Sequence, residues 1–236
     1  MPLIGTRQDA LSNRRLAPGF PTFRSDFLSE DAPPGTRRGN GKLVEQDPLS
    51  TLDAHFHYVN QFQVVVSGSG RIGRHDVRPI TVQYAGAYTS YGPLQAGPEG
   101  LGYLVLRDAI LPGLARMPGE IAKLNRSFKR RYFMAAAPEQ GSDAGAILHA
   151  QEDDGLAAAI YRLPPGQSYQ GREPASGGGQ FHVVVAGTAV CDGTEYEPLC
   201  CMFSNAQEGP LTLQAGLAGA EIVFLQFPLT QDPRLN

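Results

Sequence analysis

The chain repeats itself. Residues 61–68 read QFQVVVSG and residues 180–187 read QFHVVVAG, identical at six of eight positions and 119 residues apart. The same offset lays LQAGPEGLGYLVL (94–106) on LQAGLAGAEIVFL (213–225) without a gap. Two matches at one offset mark a duplication, and a period this long belongs to an ordinary small domain rather than to a solenoid. A chain of 236 residues has room for two such units and little else.

Each unit reads as β-structure. QFQVVVSGSG is a β-branched run closed by a glycine turn, followed by short segments around His75-Asp76 and by the apolar GLGYLVLR. LAAAIYRL, QFHVVVAGTAV, LCCMFSN and AEIVFLQF repeat the pattern. The 28 glycines and 19 prolines supply many tight turns, so the expected fold is all-β, built as barrels or sandwiches. One helical exception is expected over residues 111–131, where Pro118-Gly119-Glu120 resembles a helix start and a basic stretch suits its end. The expected organisation is a first barrel with an N-terminal arm (1–110), a helical linker (111–132) and a second barrel (133–236). Residues 28–48, rich in Pro, Gly and Arg, read as a surface arm or loop.

Composition removes several function classes. A net charge of −3 exerts no general pull toward nucleic acid or acidic membranes. The basic cluster Lys123, Arg126, Lys129, Arg130 and Arg131 reads as a solvated face, with no reading module beside it. No stretch has the apolar length to span a bilayer, and the N-terminus lacks a secretory h-region, so cytoplasmic residence is expected. Cys191, Cys200 and Cys201 form neither a disulfide framework nor a zinc spacing, and read as small apolar strand residues. There is no GxGxxG after a strand, no GxxxxGK[ST] and no GxSxG.

The segment Asp53-Ala54-His55-Phe56-His57 is the sharpest local signal. Side chains two apart on a strand share a face, so His55 and His57 can converge on one ion, with Asp53 on the same side if the strand begins that early. Imidazole and carboxylate are common metal ligands. The segment resembles the first motif of the cupin superfamily: His-x-His, three or four residues, Glu, six residues, Gly. Here His55 and His57 are followed by three residues to Gln61 and six more to Gly68. The resemblance covers about 45–110 and 155–228. It implies two tandem jelly-roll-type barrels, a bicupin, in which many members carry Fe, Mn, Ni, Cu or Zn.

Three departures bear on the site. Gln61 stands where the family has Glu, so a bound ion would keep its full charge and favour an anionic ligand such as a carboxylate or enolate. The region of the second motif, GAYTSYGPLQAGPEG (86–100), has no His, and Tyr91 or Ser90 lies nearest its place. A Tyr91 phenol there suits acid/base work, weak ligation or simple packing. In the second unit His55 becomes Pro174 and His57 becomes Ser176, whereas Gln61 maps to Gln180 and Gln63 to His182. Gln180 and His182 are therefore candidate pocket residues of a second barrel without a metal motif. His75 and His149 are assigned no role.

The resulting expectation is a metal-dependent enzyme of dioxygenase type. His55, His57 and Gln61 are the metal ligands, Tyr91 the catalytic group, and Gln63 and Asp53 line the substrate. Fe(II) is the favoured divalent ion, with Mn, Ni or Zn as alternatives, and the ligand is a small oxygen-rich molecule, anionic in character. A lyase or isomerase, a non-catalytic small-molecule binder and a storage-like scaffold are the competing readings. The resemblance also implies a homodimer or larger assembly, without nucleic-acid or membrane partners.

Overall fold

The structure is a computed structural model that describes residues 1–28, 31–138, 145–229, 232 and 234. Among these, the strands form two large antiparallel sheets and one small one. The first sheet has nine strands in the order Tyr132–Ala136, Thr81–Ala85, Gln61–Ile72, Leu94–Arg107, Asn40–Gln46, Thr22–Leu28, Arg15–Leu16, with His75–Val77 and Thr51–Leu52 attached at its sides. The second has eight, in the order Leu3–Gly5, Cys201–Ser204, Gln180–Cys191, Thr212–Gln226, Ala157–Leu163, Gly145–His149, with Ser168–Gln170 and Thr194–Tyr196 attached. The sequence repeat is thus a structural one. Gln61–Ile72 pairs with Leu94–Arg107 just as Gln180–Cys191 pairs with Thr212–Gln226.

The repeated glycine that ends QFxVVVxG has a steric cause. Gly68 and Gly187 both adopt left-handed backbone, with φ of 68° and 65°. A Cβ on either would lie 2.2 Å or 2.1 Å from a carbonyl oxygen of the facing strand, at Gly100 and Gly219. Register shifts follow at both places, bending each long pair into its barrel.

Alternation along the repeated strand divides the two cores. Phe62, Val64, Phe181 and Val183 belong to one shared cluster between the barrels, together with Tyr84, Leu104, Phe203 and Phe227. Val65 and Val184 turn the other way, each into the interior of its own barrel. Phe227 of the second unit contacts Phe62 of the first with ring centroids 4.9 Å apart. Strands buried on both faces account for the unbroken apolar runs.

Several expectations change here. The helix expected over 111–131 reduces to a single 3-10 turn, Ile121–Lys123. Leu114–Arg116 is instead a strand paired with His55–His57, entered through Gly113 at φ +98°. Prolines at 112 and 118 flank it and oppose a continuous helix. The arm expected over 28–48 contains Asn40–Gln46, an internal strand hydrogen-bonded on both sides, whose Lys42 is buried rather than solvated. The chain also crosses the unit boundaries twice: Leu3–Gly5 completes the second sheet and Tyr132–Ala136 the first. The three cysteines are buried free thiols, and burial pushes Cys200 up to about 12. No helix among the described residues is long and apolar enough to cross a membrane.

Candidate metal and ligand site

His55–His57 lies against the mouth of the first barrel, held on one edge by Leu114–Arg116 and on the other by a β-bridge between His55 and Tyr91. That bridge, with reciprocal backbone bonds of 3.0 Å, sets the imidazole of His55 beside the Tyr91 phenol. Gln61 and Gln63 reach the same point from the barrel interior. Of Tyr91 and Ser90, it is Tyr91 whose side chain joins this cluster.

The hydrogen bonds fix most proton positions. His55 Nδ1 is 2.7 Å from the Asp53 carbonyl oxygen and His57 Nδ1 is 2.9 Å from that of Gly113. A carbonyl only accepts, so Nδ1 of His55 carries the proton and its Nε2 is an acceptor, whereas at His57 Nδ1 the Gly113 carbonyl competes with Arg107 Nη2, a donor 3.0 Å away. Desolvation lowers the pKa of His55, and desolvation followed by the charge of Arg107 holds His57 well below the usual imidazole range. Both rings are neutral near pH 7. The Tyr91 oxygen accepts from Gln61 Nε2 at 2.5 Å and Gln63 Nε2 at 3.2 Å, so its own hydrogen is directed to His55 Nε2 at 3.0 Å. Burial keeps the phenol protonated, its pKa well above the usual value.

Arg107 joins this cluster from the end of its strand, opposite Gln61 in register. Its Nε and Nη2 donate to Gln61 Oε1 at 3.4 and 3.3 Å, and Nη2 is 3.0 Å from His57 Nδ1 and 3.4 Å from Nε2. Gln63 Oε1 is buried and has no hydrogen-bond partner. An orphaned acceptor of this kind costs about 1–3 kcal/mol unless a ligand or ordered water serves it. His55, His57, Gln63, Tyr91 and Arg107 line a cavity of about 160 Å³ together with Arg24, Lys42, Tyr103, Phe20 and Leu114, and Gln61 lies behind Tyr91 outside this lining. The cavity's size suits a small organic molecule and falls below that of a typical drug-sized site.

His55, His57, Gln61, Gln63 and Tyr91 are thus brought together as expected from sequence. Asp53 is not part of the same face: it precedes the strand, contributes its backbone carbonyl, and its exposed side chain lines an adjoining recess with Phe20 and Arg116. Arg107 and Lys42 are the members that sequence reasoning missed. Arg107 lies one residue beyond the matched segment 94–106, where its copy is Gln226, and that contrast was the available signal.

In donor types the cluster matches a divalent ion of borderline hardness, with two neutral imidazoles, an amide oxygen and a phenol, while Arg107 contacts both His57 Nδ1 and the amide oxygen. It contains no carboxylate, and among the described residues no group of three or more His, Cys, Asp or Glu stands together.

In the second barrel Gln180 and His182 are buried in a packed interior with Tyr169, Val184, Met202 and Ile222 nearby. Gln180 Nε2 donates to Gln226 Oε1 at 3.1 Å, and Gln226 Nε2 donates to the Gly155 carbonyl and Ser176 Oγ. His182 has its Nδ1 buried without a partner, and desolvation pushes its pKa down to about 3. His149 stacks on Phe133 and bonds Glu152, while His75 is exposed at the start of its short strand rather than in a turn.

The structure is similar to that of the bacterial pirin YhhW from Escherichia coli, solved in complex with nickel(II) (TM-score 0.64, 10% identity, covering 98% of this chain and 100% of that one). It is likewise similar to oxalate decarboxylase from Bacillus subtilis (TM-score 0.66, 13% identity, 97% and 78%). A third similar structure is the oxalate decarboxylase of Lactobacillus farciminis in a formate complex (TM-score 0.64, 12% identity, 96% and 86%). At these identities the likeness carries the fold. No protein-family model and no curated protein matches the sequence.

Proposed function

We propose that this chain, a two-barrel cupin by fold, is a metal-dependent enzyme whose first barrel holds a divalent ion and converts a small oxygen-rich organic molecule. The observation that carries the reading is the convergence of the His55 and His57 rings, 5.2 Å apart between centroids, with Tyr91 at one cavity, each ring held at Nδ1 by a backbone carbonyl contact. Gln61 Oε1 and the Tyr91 oxygen would complete the set. The nickel(II) ion of the similar pirin structure supports a divalent metal on this fold. Fe(II) is the first ion to test, with Mn, Ni and Zn beside it.

When bound, the ion would supply Lewis-acid polarisation of substrate oxygens. The chain's own residues do the rest. Gln63 Oε1 accepts a hydrogen bond from a substrate hydroxyl. Tyr91 holds a proton at its oxygen, within reach of the same cavity, and the amides of Gln61 and Gln63 favour its transfer by donating to that oxygen. Phe20 and Leu114 give the cavity part of its apolar lining. Dioxygenase-type oxidation is the first reaction class to screen, and lyase or isomerase work on an enolate is the second. A homodimer or larger assembly in the cytoplasm completes the proposal.

A metal-free small-molecule binder is the competing reading, favoured by the Arg107 charge against two of the donors. Metal content separates the two. Untagged protein, analysed by plasma mass spectrometry after anaerobic incubation with Fe(II), Mn(II), Ni(II) or Zn(II), is expected to hold about one equivalent, lost in His57→Ala. Negligible metal under every condition overturns the metalloenzyme reading and leaves the binder.

A further inference from the structure

We infer that Phe20 sets the size of the molecule that reaches His55 and His57, and that the recess on its outer side, beside Asp53 and Arg116, is the route of entry. The inference rests on the reading of the first-barrel cavity as a ligand site, but not on the presence of a metal.

Two cavities adjoin at the mouth of the first barrel. The inner one, of about 160 Å³, is lined by His55, His57, Gln63 and Tyr91 among others. The outer one, of about 90 Å³, has Thr51, Asp53 and Arg116 in its wall, all exposed to solvent. Phe20, Leu52, His55 and Leu114 line both. His55 therefore borders both spaces, and the three apolar side chains stand as a partition between them. The outer rim offers a carboxylate and a guanidinium to water, which keeps that side hydrated, whereas the partition is apolar.

Of the three apolar residues, Phe20 is the one free to swing. Leu52 belongs to a strand paired with Leu94, and Leu114 to the strand paired with His57, so moving either breaks a ladder. Phe20 lies in the turn that joins Arg15–Leu16 to Thr22–Leu28, at the end of the sheet. The turn is closed by local bonds, Phe20 N–H to the Ala17 carbonyl at 3.1 Å and Ala17 N–H to that of Thr22 at 2.9 Å. Pro21 beyond it is anchored, its carbonyl accepting from Asp47 N–H at 2.9 Å. Gly19 at the tip has φ of 76°, and a Cβ there would meet no atom within 4 Å, so the tip stands clear of its surroundings. The Phe20 ring is half-buried, whereas Phe56, Phe62 and Phe227 expose nothing. Arg116 holds it in place, its guanidinium carbon 4.8 Å from the ring centroid. An exposed cation–π contact of this kind gives the ring a rest position without locking it. An aromatic ring on a short, locally bonded turn, with a buried polar site on one side and a solvated recess on the other, has the construction of a gate.

A thiol reporter tests this on metal-free protein. Gln63→Cys places a thiol in the inner cavity, against a background of three buried cysteines. N-ethylmaleimide and N-(1-pyrenyl)maleimide add to a thiol by the same chemistry and differ in bulk, and each rate is divided by that of the reagent with glutathione. On this scale the pyrenyl reagent is expected to be slower by about tenfold or more, Phe20→Ala to remove about tenfold of the difference, and Phe20→Trp to slow both reagents. Arg116→Ala should fall between the parent and Phe20→Ala. Unchanged labelling of buried Cys200 shows that a variant opens locally and not by unfolding. Where Gln63→Cys does not fold, carbethoxylation of His55 by diethyl pyrocarbonate in the otherwise native chain, read by peptide mass mapping, makes the same comparison. Phe20→Ala is expected to speed it about tenfold and to leave exposed His75 unchanged. Equal relative rates for the two maleimides, no labelling of the cavity in any variant, or a Phe20→Ala protein that labels like the parent overturns the gate. Faster labelling of Phe20→Ala in a protein that takes up no metal leaves the gate and overturns only the metal reading. Bound metal with labelling that ignores residue 20 overturns only the gate.

Discussion

Arg107 and Gln226 occupy one position in two copies of the same strand pair, Arg107 beside Gln61 and Gln226 beside Gln180. In the second barrel the position closes a neutral network through Gln180, Ser176 and the Gly155 carbonyl. In the first it carries a charge among His57 and Gln61. The exchange is therefore asymmetric in energy. Gln226→Arg places a guanidinium among neutral partners, of which Gln180 Oε1 alone is unmet in this network, and is expected to cost about 2–4 kcal/mol. Arg107→Gln is expected to change stability by no more than about 1 kcal/mol. Urea melts of both variants check this, and an Arg107→Gln loss as large as that of Gln226→Arg would make Arg107 a structural residue.

Tyr91 is the only acceptor that Gln61 Nε2 has among the described hydrogen bonds, and its hydroxyl serves His55. Tyr91→Phe removes one oxygen and leaves two amide donors and one imidazole acceptor unmet. A loss of about 1–3 kcal/mol is expected, together with a drop in metal retention. Tyr91→Phe protein as stable and as metal-loaded as the parent would reduce the phenol to a packing group.

The duplication and the strand character were legible because alternation and β-branched runs are local properties. So were His55 and His57, whose shared face follows from a spacing of two. Arg107 and Lys42 were not legible as site residues, because their membership depends on cross-strand register: Lys42 sits in a Gly- and Arg-rich stretch that looks solvated until Asn40–Gln46 is placed between two other strands. The expected helix failed for a related reason. Leu114–Arg116 gains a partner in His55–His57, and a tertiary pairing of that kind overrides a local basic-tail signal.

Asp108, next to Arg107 but on the opposite face, is almost fully buried, and burial pushes its pKa up to about 7 against the pull of its own backbone, Arg37 and Asn60. The folded state then binds more protons than the unfolded chain between about pH 4 and 7, so this group's contribution to stability falls as pH rises through that window. Asp108→Asn removes the slope and is expected to stabilise the protein at pH 8 by about 1–3 kcal/mol. His182 acts in the opposite sense: its pKa of about 3 makes stability rise with pH from about 3 to 6.5. The difference between Asp108→Asn and the parent, followed by melts from pH 5 to 8, therefore isolates the carboxyl. A flat difference would mean that Asp108 is ionised throughout.

Phe227 ties the two units into one cooperative body. Its ring is fully buried, 4.9 Å from Phe62 of the first barrel and 6.2 Å from Phe181 of the second. The exchanged strands Leu3–Gly5 and Tyr132–Ala136 add hydrogen-bonded links on the same principle. Phe227→Ala leaves a cavity in the shared core and is expected to cost about 3–5 kcal/mol. Because the core is shared, the loss should appear as one transition moved to lower temperature, with both barrels melting together. Differential scanning calorimetry decides it. Two separated transitions in the variant, one of them unmoved, would show that the barrels fold as independent units and that the Phe62–Phe227 contact only docks them.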